Sequence, residues 1–315
     1  MRTPLTPAVL AAGLLLLLAG CGTQKATTPG ARTATLCVVP DPVKDTAAGR
    51  GVRITGVTGG GTPECHGSSR TLQVHYEVAN DGPQARTYTV GVELRNAAGQ
   101  VLDTVQATVP DVAAGAKVQA TVDGASFGTD AATEVTRVRL AQVRDVPAAE
   151  APAASGPCPA SGVRVTADRG DAAMGLRVVG LHLTNCSGKP YVLDGYPAVT
   201  PLDEDWKVPA TVAVLHGTGG ITVLPDFDAP PRRITLAPGQ TAHSGLVWRN
   251  TVTNGTTVAA PYVRVVARPG TPPVTLTPEL DLGTTGKLGV QPWTKDPKPY
   301  SPPPSTAARP STRES

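Results

Sequence analysis

The fold class is decided by the stretch LQVHYEVANDGPQARTYTVGVEL, residues 72–94. Apolar side chains occupy every second position of residues 72–78, and they do so again in residues 88–94. A period of two places these side chains on one face of a β-strand. The intervening Asn-Asp-Gly-Pro of residues 80–83 is a strong turn signal. The stretch therefore predicts two neighbouring antiparallel strands, each with one buried face.

The same alternation continues on both sides of this hairpin. Further strands are predicted at residues 52–57, 101–109, 118–122 and 138–143. Short strands at this spacing, with no competing stretch of helical period, are typical of an antiparallel β-sandwich. The order EVAN…RTYTVGVELRNAAGQVLDTVQATVPDVAAGAK also resembles extracellular immunoglobulin-like domains over about residues 50–145. That resemblance implies a fold and no activity.

Composition limits the class of protein. The chain has 315 residues, a formal net charge of +3, 40% apolar residues and 3% aromatic residues. Its length predicts about two domains, because a typical domain has roughly 150 residues. A nearly balanced charge with few aromatic rings argues against a nucleic-acid partner, which requires a clustered basic surface and stacking side chains.

The N-terminus predicts export and a lipid anchor. Arg2 precedes an apolar stretch, residues 8–20, that is shorter than the about 20 residues of a membrane span and fits a secretory signal peptide over residues 1–20. Leu-Ala-Gly-Cys at residues 18–21 resembles a bacterial lipobox. Two acyl chains on Cys21 would satisfy the requirement for stable membrane anchoring. We therefore expect a lipid-anchored protein on the extracellular face of the cell membrane; the alternative is an ordinary cleaved signal peptide with a chance cysteine.

The other cysteines predict disulfides. They are Cys37, Cys65, Cys158 and Cys186, an even number in an oxidising compartment. Four cysteines allow three pairings, and the domain boundaries put two in each half, so we favour Cys37–Cys65 and Cys158–Cys186. A metal site is the alternative, but only His66 lies beside a cysteine. We expect neither a metal nor another cofactor.

Stretches rich in Pro, Ala, Ser or Thr mark the domain boundaries. The predicted segments are a lipidated tether at 21–36, an immunoglobulin-like sandwich at 37–146, a Pro/Ala linker at 147–156, a second sandwich at 157–293 and a disordered Pro/Ser/Thr-rich tail at 294–315. Because the linker offers little to pack, we expect the two halves to fold independently.

The second half carries more specific motifs. It opens with Cys158, continues with a Leu-x-Leu-Thr-Asn strand at residues 181–185, and contains Gly-Tyr-Pro at 195–197 and Leu-Ala-Pro-Gly at 236–239. This combination resembles the actinobacterial secreted domain of unknown function 4232 over about residues 157–268. The resemblance implies an immunoglobulin-like sandwich at the cell surface and no catalytic residues. The predicted fold is therefore all-β, with two immunoglobulin-like antiparallel β-sandwich domains in tandem.

Two sequence patterns could suggest catalysis, and neither is specific. Gly-Ala-Ser-Phe-Gly at residues 124–128 matches the G-x-S-x-G nucleophile motif, but no helical pattern follows it as that motif requires. The five histidines show no metal-ligand spacing. They are His66, His75, His182, His216 and His243. We therefore predict that the protein is not an enzyme.

Acidic loops and tryptophans are the remaining candidates for binding. The acidic clusters at residues 203–205 and 226–228 are interpreted as solvated loop charges. Trp248 flanks an alternating strand and is predicted to lie in the core. Trp206 and Trp293 are candidate exposed rings of a carbohydrate-stacking patch.

These observations predict a non-catalytic interaction module at the bacterial envelope. Its expected partners are the membrane, through the lipid, and a cell-wall glycan or another envelope protein. The alternatives are an envelope hydrolase, a carbohydrate-binding accessory protein and a structural spacer in the cell wall.

We predict that Cys21 is the lipidated first residue of the mature protein. Cys21→Ser should block processing or release the protein into the medium, because the acyl chains that hold it would have no attachment point. Mass spectrometry of the wild-type membrane fraction should find a diacylglyceryl-cysteine peptide that begins at residue 21. Cleavage elsewhere, with Cys21 unmodified, would contradict the prediction.

Overall fold

The computed structural model describes residues 50–58, 72–96, 98–124, 135, 137–297 and 309–310. Within these ranges the fold is all-β, as predicted, and one 3₁₀ turn, Ala148–Glu150, is the sole helical element. Outside the described residues lie the predicted signal peptide, the predicted tether with Cys21, the cysteines Cys37 and Cys65, and the serine of the G-x-S-x-G pattern.

The N-terminal half contains the six strands that alternation predicts. They are β1 (Val52–Thr58), β2 (Gln73–Ala79), β3 (Arg86–Arg95), β4 (Val101–Val112), β5 (Lys117–Asp123) and β6 (Arg137–Pro147). They form two antiparallel sheets, ordered β1-β2-β5 and β4-β3-β6. Buried side chains of both sheets share one apolar core, to which β2 contributes Val74, Tyr76 and Val78, each 0% exposed. Period-two alternation is therefore confirmed as the signal for this core.

The C-terminal half contains shorter and more numerous strands. They are β7 (Val163–Ala167), β8 (Asp171–Ala173), β9 (Leu176–Asn185), β10 (Tyr191–Asp194), β11 (Ala198–Leu202), β12 (Ala213–His216), β13 (Arg233–Leu236), β14 (Thr241–Arg249), β15 (Val258–Ala260), β16 (Tyr262–Val266), β17 (Val274–Leu276), β18 (Leu280–Gly283), β19 (Lys287–Val290) and β20 (Thr294–Lys295). A final strand, β21 (Arg309–Pro310), pairs with β5 of the N-terminal half.

One large sheet organises this half. Its order is β12-β19-β14-β9-β7, with β8 and β20 paired to β9 and β14 respectively, and only the β12–β19 pair is parallel. Smaller sheets β11-β16-β17, β10-β13 and β15-β18 complete the half. The core between them includes Leu181, Leu183 and Leu246, each 0% exposed. A disulfide joins Cys158 to Cys186, the pairing expected for this half, with their Cα atoms 5.6 Å apart.

A buried asparagine ends the second strand of the core in the N-terminal half. Asn80 is 1% exposed, and its side-chain amide donates to the carbonyl oxygens of Val112 (2.8 Å) and Ala113 (3.1 Å), which lie just before β5. Its carboxamide oxygen accepts the N–H of Gly82 at 3.1 Å. One side chain therefore fixes the turn after β2 and ties it to a loop more than 30 residues further along the chain.

The C-terminal half repeats this arrangement at Asn185. This side chain is 0% exposed, donates to the carbonyl oxygen of Leu236 at 2.9 Å and accepts the N–H of Ser187 at 3.1 Å. The backbone bonds are also equivalent. The N–H of each asparagine donates to the residue just before a neighbouring strand, β5 for Asn80 and β14 for Asn185, and its carbonyl oxygen accepts an N–H from the same loop. The two halves are therefore built on the same internal bond pattern.

The segments between and after the halves differ from the expected boundaries. The predicted linker contains the 3₁₀ turn, and Glu150 within it bonds to the C-terminal half. The predicted disordered tail begins with β20, which pairs with β14, and with Asp296, which contacts His243. Strand pairing holds the backbone of residues 294–295, and the Pro and Ser content of the tail does not exclude it.

We predict that the buried asparagines are major determinants of stability. Asn185→Ala should lower the free energy of unfolding by roughly 2 kcal/mol or more, because buried carbonyl groups lose their donor. Thermal and urea denaturation of the purified protein measure the change in the free energy of unfolding. Asn96→Ala is the matched control, since Asn96 makes comparable bonds at an exposed turn; its effect should stay within about 0.5 kcal/mol. Equal effects of the two substitutions would contradict the prediction.

Candidate functional site

A strained acidic turn lies between β11 and β12. The carboxylate of Asp203 accepts the N–H groups of Asp205 and Lys207, both at 2.9 Å, and the N–H of Trp206 donates to the carbonyl oxygen of Asp203 at 3.0 Å. Trp206 has a φ of 65°, a left-handed conformation that costs roughly 1–3 kcal/mol in a non-glycine residue. Such a conformation persists where surrounding contacts hold it.

Contacts with the rest of the protein hold Trp206. Its ring stacks on Tyr262 with centroids 4.5 Å apart, and the guanidinium of Arg86, from the N-terminal half, lies 4.9 Å from the ring centroid. The ring is therefore engaged inside the protein and is not an open stacking surface.

Trp293, the other residue of the predicted carbohydrate patch, is not exposed either. Trp293 is 2% exposed, and its indole N–H donates to the carbonyl oxygen of Ala267 at 3.0 Å. This ring belongs to the core of the C-terminal half, as does Trp248, for which a core position was correctly predicted.

Arg144 of β6 forms the strongest connection between the two halves. Its guanidinium donates two hydrogen bonds to the carboxylate of Glu279, at 2.5 and 2.7 Å, and lies 3.3 Å from the carboxylate of Glu204. Paired hydrogen bonds of this kind are the strong form of an ion pair. The bond to Glu279 raises the pKa of Arg144 above its usual value. Glu279, like Trp206, is a non-glycine residue with positive φ, here 55°.

Arg50 makes a second connection. It donates to Asp145 of the same half at 3.2 Å, to the hydroxyl of Tyr262 at 2.8 Å, and also to Glu204. Burial raises the pKa of Tyr262, so its hydroxyl stays protonated. The acidic cluster at 203–205 was interpreted as solvated charge; Glu204 instead joins two arginines of the other half.

The connecting segment adds a third contact. The carboxylate of Glu150 accepts hydrogen bonds from Arg264 at 2.9 Å and from the hydroxyl of Thr275 at 2.6 Å. Beside them, Val146 packs with Leu202 in a small apolar cluster. The halves therefore meet through ion pairs around a small apolar centre, which is typical of a docked interdomain interface.

Two recesses open beside this interface, and both are bordered by Arg144 and Glu204. The first recess has a volume of about 480 Å³, and we call it the cleft. It is also lined by residues 169–172, 177–179 and 278–281. The second has about 540 Å³ and follows β6. Volumes of this size match small-ligand sites.

The loop before β8 forms the outer wall of the cleft, and Asp168 fixes its shape. The Asp168 carboxylate accepts the N–H of Gly170 at 2.8 Å and of Gly180 at 2.9 Å, and lies 3.3 Å from Nε2 of His182. Burial acts to raise its pKa, but these bonds outweigh burial and the pKa lies below its usual value. Gly170 has a φ of 69°, and a Cβ there would lie 2.5 Å from the carbonyl oxygen of Val178. Only glycine fits this close approach.

Each of the four described histidines contacts another side chain. His182 lies directly opposite His243 in the β9–β14 register, and Nδ1 of His243 is 2.5 Å from the carboxylate of Asp296. His216 stacks on Tyr196 with centroids 4.0 Å apart. In the part of the chain that the structure describes, no group of three or more His, Cys, Asp or Glu side chains could hold a metal ion.

Two further polar residues differ from simple solvated groups. His75 alternates with the buried residues of β2 and is half-buried between the hydroxyls of Thr58 (2.8 Å) and Thr121 (3.1 Å), and burial lowers its pKa. Asp228 was interpreted as a solvated loop charge. Its carboxylate accepts the N–H and hydroxyl of Thr218, at 2.8 and 2.7 Å, and these bonds lower its pKa.

Sequence reasoning missed the residues that build the interface. Arg50, Arg144 and Glu279 are single charged residues at polar positions, and no local pattern distinguishes them from other surface charges. The sequence signal that did exist was the acidic cluster beside Trp206, an aromatic ring within a charged loop.

Comparison with known proteins gives one family match. Residues 158–294 match the family described as Domain of unknown function (DUF4232), which supports the resemblance drawn for the C-terminal half. No curated protein matches the chain. Among solved structures, a red sea bream transglutaminase is 12% identical over 76% of this chain and 30% of its own, with a TM-score of 0.18, which is too low to support an argument. No helix among the described residues is long and apolar enough to cross a membrane.

We predict that Arg144 couples the stabilities of the two halves. Arg144→Ala should lower the free energy of unfolding by about 2 kcal/mol, because it leaves the carboxylate of Glu279 without its cation and leaves Glu204 with Arg50 alone. A double-mutant cycle with Glu279→Gln, followed by thermal unfolding, should show a coupling of about 1 kcal/mol or more. Arg137→Ala is the control, since Arg137 is exposed on the same strand. A coupling near zero would show that the ion pair does not hold the halves together.

Proposed function

We propose that this protein is a lipid-anchored, non-catalytic binding module at the extracellular face of a bacterial cell membrane. In this proposal the N-terminal and C-terminal halves are immunoglobulin-like sandwiches in tandem, and Cys21 carries the lipid. The actinobacterial origin is part of the same proposal and rests on the motifs of the C-terminal half. No cofactor is required.

The observation that carries the proposal is the ion-paired interface that frames the cleft. Arg144 joins one half to Glu279 and Glu204 of the other, so the walls of the cleft are held by charge-assisted hydrogen bonds. A preformed cavity loses little conformational entropy when it binds a ligand. These features support recognition of a partner by a rigid site.

The alternatives receive less support from the same residues. A carbohydrate-binding accessory role would use open ring faces, whereas Trp206 is stacked and Trp293 is buried. An envelope hydrolase would place an activated nucleophile beside a base in the cavity. Arg144, Glu279 and Glu204, which line the cleft, instead bond to one another. A spacer role would give no reason for the shaped loop of Asp168 and Gly170 at the mouth of the cleft.

A crosslinked pull-down tests the proposal. The lipidated protein is crosslinked in its native envelope with a short amine-reactive reagent, and recovered partners are identified by mass spectrometry. We expect a defined envelope component that is recovered with the wild type and is reduced at least several-fold with Arg169→Ala, which changes the mouth of the cleft. Arg232→Ala, an exposed arginine that does not line the cleft, is the control. Identical recovery with all three proteins would overturn the assignment of binding to the cleft.

A further inference from the structure

Strand β8 presents an open edge to the cleft. Asp171, Ala172 and Ala173 pair with β9, and β8 has no other strand partner among the described residues. Asp171 and Ala172 also line the cleft. An edge strand offers backbone N–H and C=O groups that an extended peptide can pair with.

Two arginines near this edge retain binding capacity. Arg169 has no hydrogen bond or ion pair with any described residue. Arg177 has its Nε 3.7 Å from the carboxylate of Asp281, beyond hydrogen-bond distance. The two groups form an ion pair without a hydrogen bond, and the Asp281 carboxylate accepts hydrogen bonds from Trp248 at 2.8 Å and Asn250 at 2.9 Å instead. Both guanidinium groups can therefore accept an anionic partner.

The third arginine of the cleft cannot do so. Arg144 is engaged by two carboxylates, and Glu279 receives both of its short hydrogen bonds. Arg169 and Arg177, close to β8 in the chain, are therefore the guanidinium groups that the cleft offers to a ligand anion. A ligand anion placed there meets two planar forks that match a carboxylate group.

The rest of the lining favours a peptide over a sugar. It includes Val179, Ala259, Pro261, Pro278 and Leu280. These aliphatic surfaces suit small apolar side chains. The one aromatic ring among the lining residues, Trp248, is 2% exposed and donates its N–H within the protein. It therefore offers no stacking face.

We propose that the cleft binds the C-terminal end of a short extended peptide. The peptide pairs with the open edge of β8, and its terminal carboxylate binds the guanidinium groups of Arg169 and Arg177. Asp168 is a positioning residue, because its bonds to Gly170 and Gly180 hold the loop that carries Arg169. This inference rests on the proposed function and names the ligand class of the same site.

The first experiment compares three probes with the purified ectodomain. They are acetyl-tetra-alanine with a free carboxylate, the same peptide as its C-terminal amide, and glucuronate as a sugar carboxylate. Binding is followed by amide chemical shifts and by titration calorimetry. We expect the acid peptide to bind at least about tenfold more tightly than the amide, since a charge-assisted bond is worth about 1.5–3 kcal/mol. It should also shift the amide signals of Asp171, Ala172 and Ala173.

The second experiment uses matched variants. Arg169→Ala and Arg177→Ala should each weaken the acid peptide by about tenfold and leave the amide peptide unchanged, because only the carboxylate contact is lost. Arg232→Ala should change neither affinity. Thermal unfolding of each variant shows whether the fold is retained, which is expected because Arg169 is exposed.

Several results would overturn the proposal. Equal affinity for acid and amide would exclude capture of the carboxylate, and no binding of either peptide would exclude the peptide site. Tighter binding of glucuronate would assign the arginines to an acidic sugar. Recovery of a cleft-dependent partner in the envelope pull-down together with no peptide binding would refute this inference alone. The proposed binding function would then stand.

Discussion

The two short hydrogen bonds between Arg144 and Glu279 set the geometry on which the cleft depends. They join β6 of one half to the segment before β18 of the other, and they leave the guanidinium close to Glu204 as well. Removing one partner of this ion pair leaves the other charge uncompensated in a partly buried position. That loss costs more free energy than the pair itself contributes. The interface is therefore selective: it requires one arrangement of the two halves because displaced arrangements leave these charges without partners.

Backbone strain is concentrated at the same interface. Four described non-glycine residues have positive φ, and two of them, Trp206 and Glu279, make the interdomain contacts. Each cost is roughly 1–3 kcal/mol, so the bonds of the docked state must outweigh it. For Trp206 these are the stack on Tyr262 and the nearby guanidinium of Arg86. The strain aims one acidic and one aromatic side chain at the other half, and ordinary turn geometry would direct them elsewhere.

The sequence predicted features whose cause is local and missed those whose cause is distant. Alternation gave all six strands of the N-terminal half, because the side-chain period of a strand is a property of neighbouring residues. The Asn-x-Gly pattern marked the turn after β2, but the bonds of Asn80 to carbonyl groups 32 and 33 residues away had no local signature. Trp293 was misplaced for the same reason, since it adjoins a Pro-rich segment and its indole N–H bonds to Ala267, 26 residues earlier in the chain. Charged residues at the interface carried no pattern, because their partners lie in the other half.

The cleft depends on both halves of the chain. Each half has its own apolar core and its own buried asparagine. The cleft, however, takes one wall from Arg144 in the N-terminal half and the others from the C-terminal half. A C-terminal half alone would keep β8 and Arg169, yet Glu279 and Glu204 would face solvent without their cation and would add uncompensated negative charge to the cleft. These charges would repel an anionic ligand in the cleft. The N-terminal half therefore contributes to recognition through charge compensation, even though the residues proposed to contact the ligand lie in the C-terminal half.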